Sequence, residues 1–176
     1  MRKARAFAWD KGLDFEVESR RLLKIIRDRR PGVRNGLRRA YATVLYIQLR
    51  NGLRIYEAVQ AALIWARTRE RRIKVRAEKS GYERPVIIPR ELGEEERRLI
   101  LAYIDEKADA RIKTWCRRFM GYNTHALRYA FISWMARQGY PAQLIARITG
   151  HAKLDYILYY TQKIEAEEIL EKINLR

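Results

Sequence analysis

Apolar residues in this chain fall mostly at helical spacing, interrupted once by strict alternation. Phe15, Leu22, Ile25 and Ile26 share one face, so a helix is expected over residues 14–30, broken by Pro31-Gly32. A second is expected over 33–50, with Leu37, Ala40, Tyr41, Val44 and Leu45 as its stripe and Asn51-Gly52 as its stop. A third runs from about 54 to 64. Over 72–77 the pattern changes. Ile73, Val75 and Ala77 alternate with Arg72, Lys74 and Arg76, which predicts a half-buried strand with a basic outer face. Ser80-Gly81 is the turn and 85–88 the returning strand, with Pro85 at its start or at an edge.

Helices resume at Gly93, where Glu94, Glu95 and Glu96 suit an N-terminal dipole. Residues 108–120 read as a basic helix. Asn123 and Thr124 are good cap residues for the next, whose stripe is Leu127, Ala130, Phe131, Trp134 and Met135. Gly139-Tyr140-Pro141 separates it from a short helix closed by Gly150. Ala166, Ile169, Leu170 and Ile173 line a last amphipathic helix over 163–176, whose other positions include Glu165, Glu167, Glu168 and Glu171. Residues 1–11 are basic and expected to be poorly ordered. The fold class is therefore mainly α with one small antiparallel β-hairpin, in a single domain over 1–176.

Charge adds the first functional constraint. The 176 residues carry a formal net charge of +17, with 34% charged and 48% hydrophobic residues. That is a folded protein and not a basic tail, and its partner is a polyanion, either nucleic acid or a membrane surface. No apolar run is long enough to cross a bilayer, and the basic N-terminus lacks the apolar core of a secretory signal. A cytoplasmic, nucleoid-associated protein is expected. Cys116 is the only cysteine, which leaves no intrachain disulfide and no thiolate cluster. The abundance of Arg, Glu and Ile is that of a thermophile.

The candidate chemistry lies in 124–161. His125 and Arg128 stand one turn apart, off the apolar stripe and near a helix N-terminus, an arrangement suited to a phosphate. His151 follows Gly150 at the end of the next helix, and Tyr160-Thr161 comes nine residues later. These are the only two histidines, and no carboxylate or thiol accompanies them at metal-ligand spacing, so no metal is expected.

H-x-x-R, then G-H, then Tyr-Thr resembles the tyrosine recombinase family of phage integrases and Xer-type enzymes. Upstream, Gly52-Leu53-Arg54-Ile55-Tyr56-Glu57 is similar to the family's G-L-R-x-x-E, and Lys79-Ser80-Gly81-Tyr82-Glu83-Arg84 to its K-G-x-x-E-R turn. The resemblance covers roughly residues 33–165. Tyr56 departs from it, because the family commonly has a small hydroxyl residue there.

The resemblance implies a catalytic domain that cuts and rejoins DNA through a 3′-phosphotyrosine, with neither metal, other cofactor nor ATP. Tyr160 would be the nucleophile, with Tyr159 the runner-up and Tyr156 a packing or DNA-contact residue. Arg54 and Arg128 would clamp the phosphate, and Lys79 would protonate the leaving 5′-oxygen, with Lys74 the alternative. His125 and His151 would hydrogen-bond the phosphoryl oxygens and assist proton movement, and Glu57 would play a supporting structural part. Arg72, Lys74, Arg76 and Arg84 are the expected contacts to double-stranded DNA. The family's N-terminal core-binding domain is expected to be absent. Self-association on DNA, as dimer or tetramer, is expected, with 163–176 docking on a neighbouring subunit. An archaeal virus or plasmid is the implied source. Two rivals remain: a type IB topoisomerase-like relaxing enzyme, and a catalytically silent DNA-binding module of the same fold.

Overall fold

The computed structural model describes residues 12–77, 83–151, 157–158, 170 and 173. In chain order these form α1 (Phe15–Ile26), α2 (Val33–Asn51), α3 (Ile55–Thr68), β1 (Arg72–Arg76), β2 (Glu83–Ile87), α4 (Glu94–Tyr103), α5 (Ala108–Trp115), a π-helical turn (Cys116–Met120), α6 (His125–Arg137) and α7 (Ala142–Thr149). The expected class, mainly helical with one antiparallel hairpin, is what is observed. No helix among the described residues is long and apolar enough to cross a membrane.

Helix α2 is the axis of the core. An amphipathic stripe was expected there, but every residue from Arg39 to Leu49 is buried. The reason is its surroundings: α1, α3, α4 and α6 all pack against it. A helix wrapped on all sides has no solvent face, and its polar residues must find partners inside. Arg39 does so, donating from Nε to the Ile26 carbonyl at 2.6 Å and pairing with Glu95 at 2.5 Å. It thereby joins the end of α1 to α2 and α4.

Local signals explain the ends of the elements. Asp14 Oδ1 accepts from the Val17 amide at 2.8 Å and starts α1. The Glu96 carboxylate accepts from the Gly93 amide at 2.7 Å and starts α4. At α6 the cap falls to Asn123, whose Oδ1 accepts from the Ala126 amide at 3.1 Å, while Thr124 makes no side-chain cap. The π-turn ends at Gly121, with φ +86°, and its extra residue carries Tyr122 onto α1. There the Tyr122 hydroxyl donates to Glu18 at 2.6 Å in a buried contact.

The hairpin runs in the register Arg72↔Ile87, Val75↔Arg84 and Arg76↔Glu83. Its faces alternate as expected: Ile73, Val75 and Ala77 are buried, and Arg72, Lys74 and Arg76 point out. The tip, with Lys79, lies outside the described residues. Ile157 is buried and Leu158 packs beside it against the core. Tyr156, Tyr159 and Tyr160 lie outside the described residues, as do Ala166 and Ile169 of the expected last helix. Leu170 and Ile173 of that segment are helical and exposed.

Gly52 closes α2 in a left-handed conformation, φ +59°, and a Cβ there would run into the Phe131 ring of α6. Gly52→Ala is expected to lower stability by about 1–2 kcal/mol for the backbone, plus about 1–3 kcal/mol for the overpacking. The urea midpoint reads this directly. An unchanged midpoint would mean that α6 does not press on the end of α2.

Candidate active site

The end of α2, the start of α3, strand β2, α6 and the end of α7 converge on one cluster. The cluster is built around Glu57, whose side chain is fully buried. The Leu53–Arg54 turn leads into α3, and Glu57 folds back on it. Its Oε2 accepts from the Arg54 amide at 2.9 Å and its Oε1 from Arg54 Nη1 at 3.2 Å. One carboxylate therefore caps the helix and holds the arginine in front of it.

Arg84 approaches the same carboxylate from β2. It was expected among the DNA contacts, but it is 1% exposed. Its Nη1 donates to Glu57 Oε2 at 3.2 Å and to the Thr149 carbonyl at 2.6 Å, and its Nη2 donates to the Asn51 carbonyl at 3.0 Å. The physical reason is strand parity: Arg84 shares a face with the buried Val86, while Glu83, Pro85 and Ile87 point outward. Arg84 thus locks the ends of α2 and α7 together. Asn51 completes this junction by accepting from the Ile87 amide at 3.0 Å and donating to its carbonyl at 3.0 Å.

Arg128 enters from α6. It does lie off the main apolar stripe, but it is buried and not presented on the surface. Its Nη1 donates to the Gly52 carbonyl at 2.7 Å, and its Nη2 lies 3.3 Å from the ring nitrogens of His151. Gly150, with φ +69°, ends α7 and turns His151 back so that its amide donates to Ala146 at 3.0 Å. Arg54, Glu57, Arg84, Arg128 and His151 are therefore one connected group. Arg54 and His151 form its partly exposed front.

His125 sits exposed at the first turn of α6, its ring 5.4 Å from that of Tyr129. Arg72, Lys74 and Arg76 lie apart on the outer face of the hairpin, with Lys74 3.9 Å from Glu83. Lys79 and Tyr160 lie outside the described residues.

Three guanidinium groups around one carboxylate leave the cluster with excess positive charge. Its electrostatics show the consequence. Burial, and then the neighbouring Arg54 and Arg84, push Arg128 down to about 9. Burial, with Arg128, Arg54, Arg84 and His125 behind it, pushes His151 down to about 3, so its ring is neutral at neutral pH. Burial also lowers Arg84, partly offset by Glu57. A site that destabilises its own cations is one that an anion would relax. Arg54, at the partly exposed front, carries the kind of forked donor that suits a tetrahedral anion, with Arg128 buried behind it.

Two relatives are similar to this chain over most of its length. ORF241 of Acidianus two-tailed virus, a protein named as an integrase, is 38% identical over 166 residues, covering 94% of this chain and 68% of that protein. The chain belongs to the tyrosine recombinase (integrase) family. The uncharacterised protein MJ0770 of Methanocaldococcus jannaschii is 30% identical, covering 97% of this chain and 91% of its own length. No family model matches. Among solved structures, the XerH site-specific recombinase in a post-cleavage complex with a palindromic difH substrate superposes with a TM-score of 0.59 at 18% identity. The XerA recombinase superposes with a TM-score of 0.58 at 20% identity. Each match covers 92% of this chain but only 51% and 64% of those recombinases, so the chain spans between half and two thirds of their length. The fold of this integrase-family chain matches that of Xer recombinase catalytic domains.

Proposed function

We propose that this chain is the strand-cutting and rejoining domain of a site-specific DNA recombinase or integrase, acting through a 3′-phosphotyrosine at Tyr160. The observation that carries the reading is the convergence of Arg54, Arg128 and His151, with excess positive charge, from three separate stretches of sequence. A scissile phosphate placed between the two guanidiniums would have its non-bridging oxygens neutralised from both sides.

A phenol, with an ordinary pKa of about 10, needs that neutralisation to attack phosphorus near neutral pH. The Tyr160 oxygen forms the new P–O bond as the bond to the 5′-oxygen breaks. Lys79, at the hairpin tip by sequence, supplies the proton that the 5′-oxygen needs to leave. A 5′-hydroxyl from a partner duplex reverses the step, and the ester conserves the bond energy. Arg72, Lys74 and Arg76 point away from the cluster on the hairpin and are suited to backbone phosphates of the duplex. Glu57 and Arg84 form the scaffold of the site. Assembly of two or four copies on DNA belongs to the same reading.

A nicked duplex that traps the covalent adduct tests it. The full chain should become attached to DNA, and Tyr160→Phe should lose the adduct while keeping non-covalent binding. Adduct that survives in Tyr160→Phe and vanishes in Tyr159→Phe would move the nucleophile by one residue. Tight, salt-sensitive binding with no adduct at all would make the chain a DNA-binding module of this fold. Two marked duplexes separate exchange from simple relaxation of one strand.

A further inference from the structure

The end of α7 carries a polar group that the cleavage reading leaves unused. Thr149 is fully buried, and its carbonyl is taken by Arg84. Its hydroxyl lies 2.7 Å from the Ile145 carbonyl and 2.7 Å from His151 Nδ1. The Ala146 carbonyl is farther, at 3.5 Å.

A hydroxyl has one proton to donate. The Ile145 carbonyl can only accept. Were the Thr149 proton turned to His151, two oxygens would face each other at 2.7 Å with no hydrogen between them, in a site closed to water. The proton therefore lies toward Ile145, in the back-bonded arrangement common for Thr in helices. The Thr149 oxygen then presents a lone pair to Nδ1, and Nδ1 must carry the hydrogen. A neutral imidazole so fixed has its lone pair on Nε2. Arg128 Nη2, which can only donate, lies 3.3 Å from both ring nitrogens and favours neither, so the tautomer is set by the Thr149 hydroxyl.

We infer that Thr149 is a positioning residue that holds His151 as the Nδ1–H tautomer, so that Nε2 faces the site as a proton acceptor and not as a donor. The consequence for catalysis rests on the strand-cleavage reading. His151 would then not hydrogen-bond a phosphoryl oxygen in its resting state. It would take the proton of the attacking phenol: the phenolic O–H bond breaks, an N–H bond forms at Nε2, and the oxygen's electron pair forms the bond to phosphorus. The imidazolium keeps its Nδ1–H on Thr149.

The surrounding charges time this step. Burial first, and then Arg128 of α6, Arg54 at the start of α3, Arg84 from β2 and His125 of α6, disfavour a protonated ring in the free protein. A phosphate diester among these cations offsets them and makes Nε2 more basic when substrate is present.

The chain has two histidines, so ¹⁵N-histidine labelling of the full chain gives two rings to assign, with His125→Gln identifying which is which. Long-range proton–nitrogen spectra should show His151 as Nδ1–H in the wild type and in Thr149→Ser. Thr149→Val keeps the shape and removes the hydroxyl. It should shift the ring toward the other tautomer and slow adduct formation by about 10- to 100-fold, the size of effect seen when the partner that orients a metal-bound histidine is lost. DNA affinity should be unchanged, and Thr149→Ser should retain most of the rate.

An Nε2–H ring in the wild type overturns the inference, whether or not Thr149→Val folds. So does an unchanged tautomer in Thr149→Val. A changed tautomer with an unchanged adduct rate overturns the acceptor role. The spectra need no DNA, so a wild-type chain that forms no adduct defeats the cleavage reading and leaves the tautomer result standing.

Discussion

Replacing Glu57 with Gln is expected to lower the unfolding free energy by about 3–5 kcal/mol, the range seen when one partner of a buried ion pair is removed. The side chain is fully buried and takes hydrogen bonds from the Arg54 amide, Arg54 Nη1 and Arg84 Nη1. Gln preserves the shape but presents one oxygen and an NH2 group where two oxygens now accept. It also removes the negative charge among Arg54, Arg84 and Arg128, which are brought together by the start of α3, strand β2 and the first turn of α6. The loss is a large share of the roughly 5–15 kcal/mol that holds a domain folded. Urea midpoints at low salt would measure it. Sulfate, or a short duplex, should recover part of the deficit, because an anion bound only to the folded state stabilises it. A loss below about 1 kcal/mol, typical of an exposed pair, would mean that water already screens the cluster.

Glu57 also shows how much of the site could be read before folding. Arg54 and Glu57 stand three residues apart at a helix start, Arg128 and His125 share a helical turn, and His151 follows a left-handed glycine. Each spacing is local, and each survives in the structure. What local spacing could not supply was burial. Arg128 is off the apolar stripe of α6, as its position implies, yet it is enclosed because Gly52 and His151 arrive from elsewhere in the chain.

Arg84 was legible but misassigned. The alternation that sends Arg72, Lys74 and Arg76 outward on β1 applies equally to β2, where Val86 and Ile88 set the inner parity and Arg84 shares it. A charged residue in a strongly basic chain reads as surface unless its parity is followed. Thr149 had no such signal, since a threonine at a helix end is ordinary and its meaning comes only from the ring of His151 beside it. Helix α2 fails in the same way at a larger scale. Its stripe is real, but its opposite face is covered by helices more than a hundred residues apart in sequence, α1 and α6 among them. Periodicity reports which face is most apolar, not how many neighbours a helix has.

Arg128→Lys is expected to reduce covalent-adduct formation by about 10²–10³-fold while changing non-covalent DNA affinity only a few-fold. That range is the effect of removing one transition-state donor from an oxyanion hole. Charge is one part of the reason: Arg128, although pushed down to about 9, remains a cation at neutral pH, whereas the same burial and neighbouring arginines would press an ammonium toward its neutral form. Geometry is the other. One planar fork reaches the Gly52 carbonyl at 2.7 Å with Nη1 and the His151 ring at 3.3 Å with Nη2. The first contact fixes the guanidinium against the end of α2, and the second orders the front of the site. An ammonium is compact and strongly hydrated, and it cannot make both contacts while offering a flat face to a phosphate. Attraction for DNA, spread over many basic groups, would barely change. Stability separates the two roles: the lysine retains the buried stem, so the urea midpoint should fall far less than in Arg128→Ala, which also leaves a cavity. If the lysine variant cuts DNA at the wild-type rate, the site needs only a positive charge at this position. The clamp would then rest on Arg54 alone, and the two-sided reading of the cluster would be lost.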